Sequence, residues 1–319
     1  MSQELNNNWQ PTASVPALQA RATLNRQIRE FFAARNVMEV ETPLLCSRAV
    51  TDPYIQAFAS DGKYLQTSPE YAMKRLLAAG SGSIYQICKA FRQEEAGNMH
   101  NPEFTMLEWY RTGFDHQQLM QEMDDLLQLL LDRPAAIKIS YQQLFLDMVG
   151  INPHTADLDA LQACAAQCGI NLTAAALVGL TVTDWLQLIM SHVIEPKMVG
   201  PRPWIVYGFP VAQAALARIV QEDCPVAARF EVYIEGIECA NGYYELQDAD
   251  EQAKRFATDN AIRSKNGIHN MEPDERLLSA LRVGLPECAG VTLGLDRVLM
   301  LKLQQKSIAN VLAFTIHNA

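Results

Sequence analysis

The chain has 319 residues, 49% of them hydrophobic, with 26 lysines and arginines against 36 aspartates and glutamates, for a net charge of −10. That length allows one full-sized core or two moderate ones, and the negative balance argues against a protein whose affinity comes mainly from neutralising nucleic-acid phosphates. No apolar run approaches the ~18 residues of a membrane span, and the start MSQELNNNWQPTAS lacks the basic and apolar regions of a signal peptide, so the expected compartment is the cytoplasm.

In chain order, LQARATLNRQIREFFAAR spaces Leu24, Ile28, Phe31 and Phe32 at helical intervals, and VMEVETP then alternates like a strand ending at Pro43. KYLQTSPEYAMKRLLAAG reads as a strand followed by a helix, with Thr67 or Ser68 placed as its cap and Ala72, Leu76 and Leu77 on one face. The GSGS at 80–83 follows that helix and precedes a strand, the order of a C-terminal turn and the reverse of a dinucleotide loop. SIYQICKA and FTMLEWY predict two strands joined by a charged loop.

DHQQLMQEMDDLLQLLLD predicts a helix, and the alanine- and leucine-rich stretch from about 134 to 200 a small, mostly helical insertion. PWIVYGFP and ARFEVYIEGIECANGYYEL return to strand patterns, the latter as two antiparallel strands turning near Gly236. Helices are expected around 248–265 and 273–284, and GVTLGLDRVLMLKL as a strand that becomes a helix near Asp296. There is no internal repeat. Long antiparallel strands with flanking helices predict an α+β sheet domain and not a doubly wound fold. The seven cysteines, odd in number and scattered, read as reduced core thiols; Cys164 and Cys168 lack a second pair of zinc-ligand spacing.

The charged residues concentrate where strands end. Arg92 and Arg297 each sit at such a point, and an arginine fork suits either phosphate oxygens or a salt bridge. Glu94, two residues after Arg92, would share its face on a strand and either pair with it or read the amino edge of a purine, with Phe104 stacking on that base. GIECANGYYEL brings Glu238, Asn241 and Glu245 within eight positions. Acids there are either solvated on an edge strand or buried against a cation: Mg²⁺ on nucleotide phosphates for Glu238, a substrate amine for Glu245. No Walker A motif, Gly-x-Ser-x-Gly elbow or His-Glu-x-x-His is present.

VMEVETP, FRQEE followed by HNPEFTMLEWY, and GLDR resemble motifs 1, 2 and 3 of the class II aminoacyl-tRNA synthetases, and TSPEYAMKRLL and RFEVYIEGIECANGYYEL are similar to the lysine-specific branch. The resemblance runs from about residue 15 to the C-terminus. It implies a six- or seven-stranded antiparallel sheet flanked by helices, ATP-dependent activation of a carboxylate, and motif 1 at a homodimer interface. Arg92 would hold the α-phosphate and Arg297 the γ-phosphate. Gln93, Glu94, His100, Asn101, Phe104, Cys239 and Gly294 would surround the nucleotide, with Mg²⁺ on Glu238 and Glu231. The amino acid would lie by Ser68, Pro69, Glu70, Tyr110, Asn241, Glu245 and Thr292, with Glu70 receiving its backbone amine and Glu245 and Tyr110 its side-chain amine.

Two departures narrow the resemblance. Only some twenty residues precede motif 1, where lysyl-tRNA synthetases carry an anticodon-binding domain, so a single catalytic domain over 1–319 without that module is expected and a tRNA-reading role is in doubt. Motif 3 has Thr292 where synthetases have glycine. The pattern is most like the freestanding branch that joins (R)-β-lysine to a lysine of elongation factor P. A truncated synthetase, an amide-forming enzyme and a silent regulatory paralogue stand as alternatives; the intact Arg92, Glu238 and Arg297 speak against silence.

Overall fold

A computed structural model describes residues 9–93, 97–173 and 179–319. Helix α1 (Val15–Ala33) starts where the Ser14 hydroxyl accepts the Ala17 N–H, with proline in its first turn. Short strands β1 (Met38–Glu39), β2 (Leu45–Cys46), β3 (Ala59–Ser60) and β4 (Lys63–Leu65) lead to helix α2 (Glu70–Ala78). Pro69 occupies the cap position of α2, and the Ser68 hydroxyl accepts the Glu70 N–H at 3.1 Å, so Ser68 caps from one residue further out. The long hairpin β5 (Ile84–Phe91) and β6 (Glu103–Thr112) follows. Helix α3 (His116–Leu131) opens on a capping box of Asp115 and Gln118 and closes on Asp132 in the left-handed conformation.

The stretch from 134 to 200 contributes β7 (Ile137–Ser140), α4 (Tyr141–Val149), α5 (Leu158–Gln167) and α6 (Val182–Ile189). Then come β8 (Trp204–Phe209), β9 (Ile219–Gln221), β10 (Pro225–Ile234), β11 (Ile237–Tyr244), α7 (Ala249–Lys265), α8 (Glu275–Gly284), β12 (Cys288–Gly294) and α9 (Leu295–Lys302). The β10–β11 turn places Glu235 and Gly236 at positive φ, and a Cβ on Gly236 would meet the Glu195 carbonyl oxygen at 2.7 Å, so only glycine closes this hairpin.

Among the described residues, nine strands form one sheet in the order β1-β5-β6-β12-β11-β10-β8-β7, with β9 on β10. The six central strands, β5 to β8 in that order, pair antiparallel as expected; the sheet is larger than the expected six or seven because β9 and the parallel edge strands β1 and β7 extend it. The main core lies between one sheet face and α1, α3 and α9, with Leu24, Ile28 and Phe32 against Leu107, Trp109, Val232, Val291 and Leu293. A second cluster under α4–α6 and a third joining α2, α7 and α8 complete the packing. Among the described residues, no helix is long and apolar enough to cross a membrane.

Candidate active site

Because strand side chains alternate, sending Leu107, Trp109, Val291 and Leu293 into the core turns their neighbours to the opposite face. There the pairing register sets them in rows. Glu108 on β6 pairs with Thr292 on β12, Thr292 with Asn241 on β11, and Asn241 with Glu231 on β10. The next row runs Tyr110, Gly290, Tyr243, Arg229. The rows are stitched together: Tyr110 OH donates to Glu108 at 2.8 Å, Asn241 Nδ2 to Tyr243 OH at 2.9 Å, and Arg229 Nε to Asn241 Oδ1 at 3.2 Å. Only glycine fits at 290, where a Cβ would lie 2.2 Å from the Tyr110 ring and 2.6 Å from a Glu245 carboxylate oxygen.

Carboxylates gather at one end of these rows. Glu108, 1% exposed, accepts hydrogen bonds from Ser68 Oγ (2.8 Å), Tyr110 OH and Thr292 Oγ1 (2.9 Å). Burial, and after it the charge of Glu70, push its carboxyl up to about 7 against those hydroxyls. Lys74, one turn along α2 from Glu70, is 2% exposed and places Nζ 2.7 Å from Glu70 and 2.6 Å from Glu245. Burial would lower the Lys74 ammonium, but the two carboxylates outweigh it and hold it charged. Burial pushes Glu245 up to about 8; Lys74 opposes that shift, while Glu70 and Glu108 add to it. Lys74 therefore answers Glu70 and Glu245, while Glu108 is met by three hydroxyls, an arrangement that has room for further positive charge.

Away from this cluster, past the ends of β5 and β12, the cavity carries arginines. Arg92 hydrogen-bonds the Thr67 carbonyl at 3.4 Å and lies 5.1 Å over the Phe104 ring. Arg297 donates to the Glu238 carbonyl at 2.6 Å and lies 2.6 Å from His100 Nε2. Its neighbour Asp296, buried, accepts the Thr105 N–H at 2.7 Å and pairs with Arg21, which locks the start of α9 to β6. Asn101 bonds the Glu103 carbonyl at 2.6 Å and receives the Ile316 N–H at 3.2 Å. One cavity of about 520 Å³, within the range of small-molecule sites, joins the two ends.

Of the residues singled out in the sequence, Arg92, His100, Asn101, Phe104, Glu238, Cys239, Gly294 and Arg297 line this cavity, as do Ser68, Glu70, Asn241 and Thr292. Others stand apart. The Gln93 amide turns to the Ala57 carbonyl at 3.0 Å, Pro69 serves as the α2 cap, and Glu94 lies outside the described residues. Tyr110 and Glu245 sit behind the wall, and the cation that Glu245 meets is the chain's own Lys74. Glu231 is engaged by Arg229 and Tyr233. Glu238 opens onto the cavity, yet the protein crowded around it, and then Glu231, push its carboxyl up to about 7 against Arg297 and Arg229. Burial pushes the Cys239 thiol up to about 12, which keeps it inert.

No three metal-ligating side chains converge among the described residues. The oxygen-only pair Glu238 and Glu231 suits a hard cation that takes its other ligands from phosphates and water, as Mg²⁺ does. Sequence reasoning missed Glu108, Lys74 and Asp296. The i, i+4 spacing of Glu70 and Lys74, and the lone acid Glu108 within the apolar strand FTMLEWY, were the available signals.

The family model for class II tRNA synthetases (D, K and N) matches residues 11–318, and the chain belongs to that family. Proteins named elongation factor P–(R)-β-lysine ligase are similar to it along nearly their whole length. Those of Pseudoalteromonas translucida and Vibrio cholerae are each 50% identical over 98% of this chain and 99% of their own. The Vibrio parahaemolyticus protein is 51% identical over 96% and 98%.

Proposed function

We propose that this protein uses ATP to activate (R)-β-lysine, or lysine, as an adenylate and transfers the acyl group to the ε-amine of a lysine on elongation factor P. The names of the three relatives support the acceptor and the amino acid. The observation that carries the reading on this chain is a surplus of carboxyl groups over ammonium: Glu70, Glu108 and Glu245 around Lys74, with the carboxyls of Glu108 and Glu245 pushed up by burial until a cation arrives. A diamino acid whose carboxylate has been converted to an adenylate presents two ammonium groups, which matches that surplus. Glu70 on the cavity wall suits the amine near the carboxylate, and Glu108, beneath Ser68 and Thr292, suits the distal one.

At the basic end, Arg92 would hold the α-phosphate, Arg297 the γ-phosphate, and Phe104 would stack on adenine. Glu238 and Glu231 would hold Mg²⁺, which when bound neutralises and orients phosphate oxygens. A carboxylate oxygen of the amino acid attacks the α-phosphorus, and pyrophosphate leaves with the electron pair of the broken P–O bond. Arg92 stabilises the charge on the pentavalent phosphorus, and alignment supplies the rest, so no side-chain nucleophile is needed.

The same reading takes 1–319 as one catalytic domain with a helical insertion near 134–200, working in the cytoplasm without tRNA. The exposed Met38, Leu44 and Leu45 on and beside the edge strand β1 support a homodimer through motif 1. ATP–pyrophosphate exchange with β-lysine, α-lysine and aspartate tests the activation, and label transfer to elongation factor P tests the acceptor. Exchange with none of the amino acids sinks the reading, and stable aminoacyl-tRNA as product replaces it with a truncated synthetase.

A further inference from the structure

The cavity has a second set of walls that carry neither the phosphate-side arginines nor the carboxylate cluster: the loop at 50–55, the segment 211–219 and helix α7. These three are latched to one another. Thr51 Oγ1 donates to Asp259 at 2.7 Å, Arg255 Nη1 reaches the carbonyls of Ala215 and Ala217 at 2.7 Å each, and Arg263 Nη1 bonds the Asp52 carbonyl at 2.7 Å. Tyr243 links this region to the amino-acid end. Its phenol is raised chiefly by burial, and the charges of both Glu70 and Asp52 add to the shift.

The lining chemistry is of two kinds. Val211, Leu216, Ile219 and Ile262 supply apolar surface, and Val211 and Ile219 remain 45% and 37% exposed at the rim. The charged residues are Asp52, Glu251 and Asp259 against Arg255, and Arg255 is committed to Glu251 at 3.0 Å and to the two carbonyls. Behind the wall, buried Arg263 is spent on backbone carbonyls of Asp52, Ile55 and His269. Two carboxylates, Asp52 and Asp259, are left over. Burial pushes Asp259 up and the charge of Asp52 adds to the rise, while Thr51 and the charges of Arg263 and Arg255 oppose it; an arriving cation relieves both acids. An aliphatic wall ending in two acids fits four methylenes ending in an ammonium.

Resting on the function proposed above, we infer that this arm of the cavity, between the 50–55 loop, the 211–219 segment and α7, admits the acceptor lysine of the partner protein, with Asp52 and Asp259 drawing in its ammonium. The nucleotide and the amino acid occupy the other two ends, and the acceptor is the one reactant left without a place. In the transfer the acceptor nitrogen bonds to the adenylate carbonyl carbon, and the bond from that carbon to the phosphate oxygen breaks. AMP leaves with the electron pair, and the former ammonium releases two protons to solvent.

Two variants test this: Ala212→Trp, which fills the rim, and Asp52→Asn/Asp259→Asn, which keeps the oxygens that accept from Tyr54 and Thr51. Each is assayed for exchange with β-lysine, for transfer to elongation factor P, and for its melting temperature. The expected result is exchange within about twofold of wild type, with transfer slowed at least tenfold and the KM for the acceptor protein raised. Wild-type transfer in both folded variants overturns the inference, and so does exchange that falls in step with transfer, since the arm would then serve the first half-reaction. Absence of exchange in the wild-type protein instead overturns the function on which the inference rests, so the two failures are distinct.

Discussion

Thr292 and Glu108 face each other across the β12–β6 pair, and the threonine hydroxyl donates to the carboxylate at 2.9 Å. The Thr292 side chain, on the cavity wall, is therefore tied to a buried acid behind it. Thr292→Gly removes both the side chain and that tie. With a β-amino acid the amine lies one carbon farther from the carboxylate, so the space vacated favours α-lysine. We expect exchange with α-lysine to rise relative to β-lysine by roughly 10- to 200-fold, the range for sterics of one or two methyl groups, with the KM for ATP little changed. An unaltered ratio moves the discrimination to Glu70.

Arg92→Ala is expected to abolish exchange with every amino acid while shifting the melting temperature little. Arg92 lines the cavity and is not part of the hydrophobic core, so its loss removes a ligand contact and opens no hole there. Retained exchange in a folded variant contradicts the role given to this arginine.

Lys74→Met should destabilise the protein by about 3–5 kcal/mol, because Glu245 and Glu70 then lose their shared counter-ion inside the protein. Adding Glu245→Gln should recover part of that loss, since a neutral amide needs no counter-ion at any pH. Chemical denaturation of the two single variants and the double variant closes the cycle. Additive effects would mean that Lys74 and Glu245 are not coupled.

The pH dependence follows from the raised acids. Glu108 keeps its proton up to about 7 and Glu245 up to about 8 in the folded protein, whereas the unfolded chain releases both near 4.5. From about 4.5 to 8 the native state thus binds more protons than the unfolded state, so the stability these groups contribute is greatest at the acid end and is lost as pH rises. Binding of an ammonium at Glu108 requires the proton to leave. The dissociation constant for lysine or β-lysine should therefore rise as pH falls below about 7, approaching tenfold per unit. Calorimetric titration from pH 5.5 to 8.5 checks this, and Glu108→Gln should flatten the profile.

Much of the fold was legible because local signals agreed with it. The β10–β11 turn at Gly236, the strand-to-helix change near Asp296 and the helical face of Leu24, Ile28 and Phe32 each follow from periodicity and turn chemistry. Motif spacing singled out Arg92 and Arg297, and both line the cavity. The carboxylate cluster was less legible because partners there come from distant parts of the chain: Glu108 meets Thr292 through strand pairing and Ser68 through the turn before α2, and Lys74 meets Glu245 across 171 positions (245 − 74). An acid in a strand gives no sign of whether a buried lysine already answers it. Glu245 was for that reason assigned a substrate amine when its nearest amine is internal.

The rows across β6, β12, β11 and β10 also limit how this site can change over generations. Glu108, Thr292, Asn241 and Glu231 are spaced by strand separation, so the reach from the carboxylate cluster to the Glu231 strand, three spacings or about 14 Å, does not depend on rotamers. Inserting or deleting one residue in β12 would slip its register, turn Val291 or Leu293 into the row and send Thr292 into the core. New substrates can therefore be reached by exchanging one side chain for another within a row, while length variation is confined to the loops beyond the sheet.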